Sequence, residues 1–101
     1  MTTLDVSVSG PNGSIDLSNG LLGSATDVFV GACQAHREGR ASGVAGAAGC
    51  NLILKGQVLL ELLSPEMRGQ YEAYSSSPED IEGFHAGIDP DADYRVGAIE
   101  V

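Results

Sequence analysis

The sequence predicts an α+β fold, in which an N-terminal β-hairpin and a C-terminal strand form a small sheet packed against three or four helices. Three observations carry that prediction. Apolar residues alternate with polar ones at both ends of the chain, helix-start signals recur between those ends, and the apolar residues are aliphatic. With 101 residues, 43% hydrophobic and 19% charged, the composition is that of one globular domain spanning 1–101. Only Phe29, Tyr71, Tyr74, Phe84 and Tyr94 are aromatic, so Val, Ile, Leu and Ala must build the core.

The first hairpin is read from Leu4, Val6 and Val8 on one face and Asp5, Ser7 and Ser9 on the other. Gly10-Pro11-Asn12-Gly13 is a turn signal, after which Ile15 and Leu17 resume the alternation, giving a hairpin over about residues 3–18. Ser18-Asn19-Gly20 closes it.

A helix follows from Ser24. Ser24 is placed to cap it, Asp27 suits its positive end, and Val28, Phe29, Ala32, Cys33 and His36 recur at helical spacing as its buried stripe. His36 and Arg37 suit the negative end, and Gly39 supplies a left-handed stop.

Residues 41–63, "ASGVAGAAGCNLILKGQVLLELL", admit two readings. Gly43, Gly46 and Gly49 recur every third residue among alanines, which on a helix makes a small-residue face for a neighbour or a second copy of the chain. The rival is a hairpin turning at Lys55-Gly56; the helix is preferred. A membrane span is rejected because Lys55 and Glu61 fall inside the run, and each central ionised residue costs about 2.5–3.5 kcal/mol there.

Ser64-Pro65-Glu66 and Ser77-Pro78-Glu79 each combine a cap, a proline at the first helical position and an acid in the first turn. The first predicts a helix with Met67, Tyr71 and Tyr74 on one face. The second predicts a short helix with Ile81, Phe84 and His85 inward, ended by Gly87. Tyr94, Val96 and Ala98 then alternate as a final strand, expected to pair with the N-terminal hairpin.

Net charge is −9 and lopsided. Residues 1–60 carry Asp5, Asp16, Asp27 and Glu38 against Arg37, Arg40 and Lys55, a sum of −1. Residues 61–101 carry ten acids against Arg68 and Arg95, a sum of −8. Such a half repels nucleic acid and anionic membrane and attracts a basic protein surface. Glu79, Asp80, Glu82, Asp89, Asp91 and Asp93 are the candidate partner-binding acids. Gly43, Gly46, Gly49, Tyr71 and Tyr74 are the candidate packing and interface residues.

Asp89, Asp91 and Asp93 also occupy the first, third and fifth places of a calcium loop, with Val96 at the eighth and Glu100 at the twelfth. Tyr94 stands where that loop needs glycine, however, and a strand over 94–101 carries Glu100 away from the aspartates. The expectation is an acidic turn feeding a strand. Cys33 and His36 share a helix face and, with Cys50 and His85, make a Cys₂His₂ set, but only one ligand pair is tightly spaced. No metal or cofactor is expected.

Two cysteines are too few for a disulfide scaffold, and residues 1–20 lack the basic and apolar blocks of a secretory leader, so both thiols are expected free in the cytoplasm or in a particle assembled there. Neither cysteine lies at a helix N-terminus that would activate it, and Gly43/Gly46/Gly49 is no phosphate loop, so no catalysis is expected. Two functions follow: a small subunit of a larger, virion-type or other multi-copy assembly, or an acidic inhibitor or adaptor that masks a basic, nucleic-acid-binding surface of a target protein.

Overall fold

A computed structural model of the chain describes residues 4–17, 24–46, 49–63 and 76–100. The fold is α+β. Five antiparallel strands, β1 (Leu4–Gly10), β2 (Gly13–Asp16), β3 (Ala41–Gly46), β4 (Gly49–Lys55) and β5 (Asp93–Glu100), lie in the order β2-β1-β5-β4-β3. Three helices are described, α1 (Ser24–Arg37), α2 (Gly56–Leu62) and α3 (Pro78–Ala86).

Both alternating ends of the sequence become strands as expected. β1 and β2 form the hairpin, with Gly10 opposite Gly13. β5 pairs with β1 from Leu4↔Glu100 to Ser9↔Arg95, and on its other side with β4 from Gly49↔Ile99 to Lys55↔Asp93. The last strand is thus central. Val6, Val8, Ile15, Leu17, Leu52, Leu54, Tyr94, Val96 and Ala98 project from one face into the core. There they meet Val28, Ala32 and Ala35 of α1, Val58 and Leu59 of α2, Leu63 just beyond it, and Ile81 and Phe84 of α3.

Helix α1 ends as its sequence predicts. Gly39 takes φ +79°, the Gly39 N–H donates to the His36 carbonyl at 3.1 Å and the Arg40 N–H to that of Ala35 at 2.8 Å, a Schellman closure. Its buried stripe is Val28, Ala32 and Ala35, whereas Phe29, Cys33 and His36 are only half-buried. Helix α3 also starts as predicted. Ser77 is extended at φ −66°, ψ 153°, and its side chain accepts the Asp80 N–H at 3.2 Å. Ser77→Ala should therefore lower stability by about 1 kcal/mol in urea unfolding; a change indistinguishable from zero would deny the cap its role.

The stretch 41–63 corrects both readings. Residues 41–46 and 49–55 are the β3–β4 hairpin, and only 56–62 is helical. The chain does change direction at Lys55-Gly56, but from strand into helix. Gly43, Gly46 and Gly49 therefore form no helical face: Gly43 lies opposite Leu52, and Gly46 opposite Gly49. Gly43 has φ +115°, and a Cβ there would lie 2.2 Å from the Asn51 carbonyl oxygen, so this glycine serves strand pairing. The close helix–helix approach is elsewhere, where a Cβ on Gly31 of α1 would lie 2.4 Å from the Leu62 side chain of α2. The predicted helix after Ser64, with Tyr71 and Tyr74, lies outside the described residues.

Candidate functional site

All three helices pack on one face of the sheet, and among the described residues nothing covers the other. Alternation makes that face from the residues between the core positions: Asp5, Ser7 and Ser9 of β1, Ser14 and Asp16 of β2, Asn51, Ile53 and Lys55 of β4, and Asp93, Arg95, Gly97 and Ile99 of β5. Ser42 and Val44 complete it on β3. The register places Asp16, Ser7, Gly97, Asn51 and Val44 in one row across all five strands.

That row forms a trough. Gly97 contributes no side chain at the centre of the sheet, while Arg95 and Ile99 stand on either side of it along β5, and the resulting groove encloses about 600 Å³. Its β1–β2 end is polar, lined by Asp5, Ser7 and Asp16. Around Asn51, by contrast, the surface is apolar. Val44 is opposite Asn51, Ile53 is two residues along the same strand, and Ile99 is opposite Gly49 on the next strand. Val44 is 73% exposed, Ile99 64% and Ile53 37%. Single exposed aliphatics are ordinary; here three stand on neighbouring strands of one face.

The two edges of the sheet differ. On the β2 edge Ser76 bonds to Asp16 twice: its N–H donates to the Asp16 carbonyl at 3.0 Å, and its hydroxyl accepts the Asp16 N–H at 2.8 Å. Among the described residues nothing pairs with the outer edge of β3. That strand, Ala41-Ser42-Gly43-Val44-Ala45-Gly46, carries no charge and no proline, the features that usually guard an edge against pairing.

The six candidate acids are all exposed, but they divide into two groups. Glu79, Asp80 and Glu82 lie on α3, Asp80 in the first turn where acids complement the helix dipole. Asp89 and Asp91 lie in the turn before β5, and Asp93 begins that strand. This turn docks on the N-terminus of α2. The Gly56 N–H donates to the Ala92 carbonyl at 2.9 Å and the Gln57 N–H to that of Pro90 at 3.1 Å. Helix α2 has no side-chain cap and no acid in its own first turn, so the acidic turn satisfies its orphan donors. Lys55 anchors the arrangement with an ion pair to Asp93 at 2.9 Å and a bond to the Asp91 carbonyl at 3.4 Å.

The aspartates of the calcium-like spacing are thus held in protein contacts, with the Asp91 N–H donated to Asp89 Oδ1 at 3.0 Å. Among the described residues no three His, Cys, Asp or Glu side chains converge to hold a metal. The Cys₂His₂ set does not assemble: His85 Nε2 bonds to the Leu63 carbonyl at 3.1 Å, Cys33 is half-buried on α1 and Cys50 is a core residue of β4 whose Sγ lies 3.8 Å from the Val96 carbonyl. Burial, with the neighbouring Cys33 second, pushes the Cys50 thiol up to about 11, the reverse of the depression that activates a nucleophile. Among the described residues no helix is long and apolar enough to cross a membrane.

The bare face was not singled out by sequence reasoning, although "RVGAIE" carries its signal. Once Tyr94, Val96 and Ala98 are assigned inward, Ile99 is an apolar residue on the outward phase. Compared with known protein families, curated proteins and solved structures, the chain has no significant match.

Proposed function

We propose that this chain is a non-catalytic subunit of a larger assembly, working in the cytoplasm or in a particle built there. It joins further copies of itself through the β3 edge and the apolar half of the bare face. The observation that carries the reading is the conjunction of Val44, Ile53 and Ile99, all exposed, beside a strand edge without charge or proline. A second copy is the favoured occupant because a strand can pair antiparallel with its own counterpart across a two-fold axis, needing no complementary pattern on the partner. Such pairing would extend the five-stranded sheet into the neighbour and make the two bare faces continuous.

The test is mass in solution by light scattering at low and high salt. The expected result is an oligomer whose mass is indifferent to salt, since apolar contacts and backbone hydrogen bonds are little screened. Val44→Lys places a charge on the exposed edge and should give a monomer, with folding stability changed by no more than about 0.5 kcal/mol. A parent protein that is monomeric at both salts, or a Val44→Lys variant that assembles as well as the parent, sinks the reading.

A second reading rests on the acids. Among the described residues Asp93 alone of the six candidate acids has an ion-pair partner, leaving Glu79, Asp80, Glu82, Asp89 and Asp91 as unneutralised exposed charge. An inhibitor or adaptor covering a basic protein surface would use them. Its complex would weaken steeply as salt rises, and Asp80→Asn with Glu82→Gln would weaken it while Val44→Lys would not.

A further inference from the structure

The turn of the first hairpin carries a chemically labile dipeptide that the assembly reading does not use. Asn12 is followed by Gly13, and a glycine there leaves the Asn side chain open to attack by the next backbone nitrogen, because no Cβ stands in the way. Gly13 is exposed with φ +123°, and a Cβ placed on it would meet nothing within 4 Å, so water reaches the junction. The Asn12 amide, however, is held at both polar atoms by residues far along the chain. Nδ2 donates to the Phe84 carbonyl at 2.8 Å, and Oδ1 accepts the Tyr94 hydroxyl at 2.7 Å. The amide is seated on the end of α3, where a Cβ on Gly87 would lie 3.1 Å from Nδ2.

We propose that Asn12-Gly13 is a deamidation site that the fold holds shut, and that its reaction is a one-way release of the hairpin tip from α3. In the reaction the Gly13 nitrogen attacks Asn12 Cγ. A bond forms between them, the Cγ–Nδ2 bond breaks, and the amide nitrogen leaves as ammonia with the proton that Gly13 loses. Water then opens the resulting succinimide at one of its two carbonyl carbons, giving aspartate or isoaspartate. One water is consumed, one ammonia is released, and nothing is oxidised or reduced.

The two hydrogen bonds set the rate. While both stand, the amide faces Phe84 and Tyr94, and Cγ cannot turn toward the Gly13 nitrogen. They also keep the fold from closing again afterwards. In aspartate an oxygen replaces the nitrogen that donated to Phe84, so two acceptors face each other across a 2.8 Å gap. In isoaspartate the main chain runs through Cγ, and the side-chain amide no longer exists to make either bond. Either product adds a negative charge to a chain already at −9 and loosens the tip from Tyr94, whose hydroxyl also holds the Asp89 N–H.

The experiment keeps the full chain in mildly alkaline buffer, native and unfolded in urea, and follows its mass over time. Fragmentation separates Asn12 from Asn19, which also precedes a glycine. The unfolded chain should gain the mass difference between OH and NH₂ at Asn12. The native chain should do so at least about tenfold more slowly, the worth of two hydrogen bonds, and this comparison needs no variant. Native Tyr94→Phe should react about fivefold faster than the native parent. Asn12→Asp, which reproduces one product, should unfold at a lower urea concentration than the parent. Equal rates in the native and unfolded chain, a Tyr94→Phe variant no faster than the parent, or an Asn12→Asp variant as stable as the parent would each overturn the proposal.

Discussion

Replacing Gly56 with alanine should destabilise the protein by about 3 kcal/mol, although it adds a single methyl group. A Cβ at Gly56 would lie 2.0 Å from the Asp89 carbonyl oxygen and 2.8 Å from its carbon. The obstacle is backbone, so no rotamer change relieves it. The 88–92 turn must lift away from α2, and with it go the bonds from Gly56 to Ala92 and from Gln57 to Pro90. Each such bond contributes about 0.5–1.5 kcal/mol, and the displaced packing of Val58, Leu59 and Ile88 adds to the loss. For a domain of this size the midpoint should fall by more than about 12 °C. Gly83→Ala is the matched control. Gly83 lies within α3 and a Cβ there meets nothing within 4 Å, so the change should stabilise by about 0.4–1 kcal/mol. Urea unfolding of the two variants reads both signs; equal effects would mean that the acidic turn does not dock on α2.

The second large effect is expected at Tyr94, which is 1% exposed at the start of the central strand. Its ring meets Phe84 edge-on, with centroids 5.9 Å apart and an interplanar angle of 85°. Its hydroxyl donates to Asn12 Oδ1 at 2.7 Å and accepts the Asp89 N–H at 2.9 Å. Asn12 in turn donates to the Phe84 carbonyl at 2.8 Å. The tip of the first hairpin, the end of α3 and the acidic turn are thus joined through one phenol. Tyr94→Phe keeps the ring but leaves Asn12 Oδ1 and the Asp89 N–H without that partner, a loss of about 1–3 kcal/mol. Asn12→Ala breaks the same network from the other side, so the double variant should lose less than the sum of the singles, with a coupling of at least about 0.5 kcal/mol. Additive losses in the urea cycle would show that the hydroxyl and the amide act independently.

These two sites show what was legible and what was not. Ser77-Pro78-Glu79 gave away the start of α3 because a cap is settled by atoms three residues apart. His36, Arg37 and Gly39 did the same for the end of α1. The alternation at 4–8 and 94–98 was readable because each strand buries only one face, so apolar and polar residues take turns.

β4 defeated that logic. Leu52 and Leu54 point into the core, but Ile53 between them is an apolar residue on the bare face, and the resulting run conceals the period of two. The exposed apolar residue on this face is thus the one that hid its strand. Gly43, Gly46 and Gly49 misled for a related reason: spacing in threes suggests a helix face, whereas Gly43 answers to backbone approach across the β3–β4 pair and Gly49 to that across β4–β5, where a Cβ would meet the Ala98 carbonyl.

The candidate acids divide along the same line. Glu79, Asp80 and Glu82 could be assigned to an exposed helix from neighbouring residues alone, but Asp89, Asp91 and Asp93 owe their role to Lys55 and Gly56, far away in the chain. By itself the sequence determined the fold class, the terminal strands, the limits of two helices and the unequal charge, because periodicity, caps and composition act within a few residues. Tertiary structure alone decided that 41–46 and 49–55 would be strands, that the acidic turn would cap α2, and which face of the sheet the three described helices would cover. A glycine- and alanine-rich segment has little preference of its own, and it becomes a strand only when β5, from the other end of the chain, offers β4 a hydrogen-bonded partner.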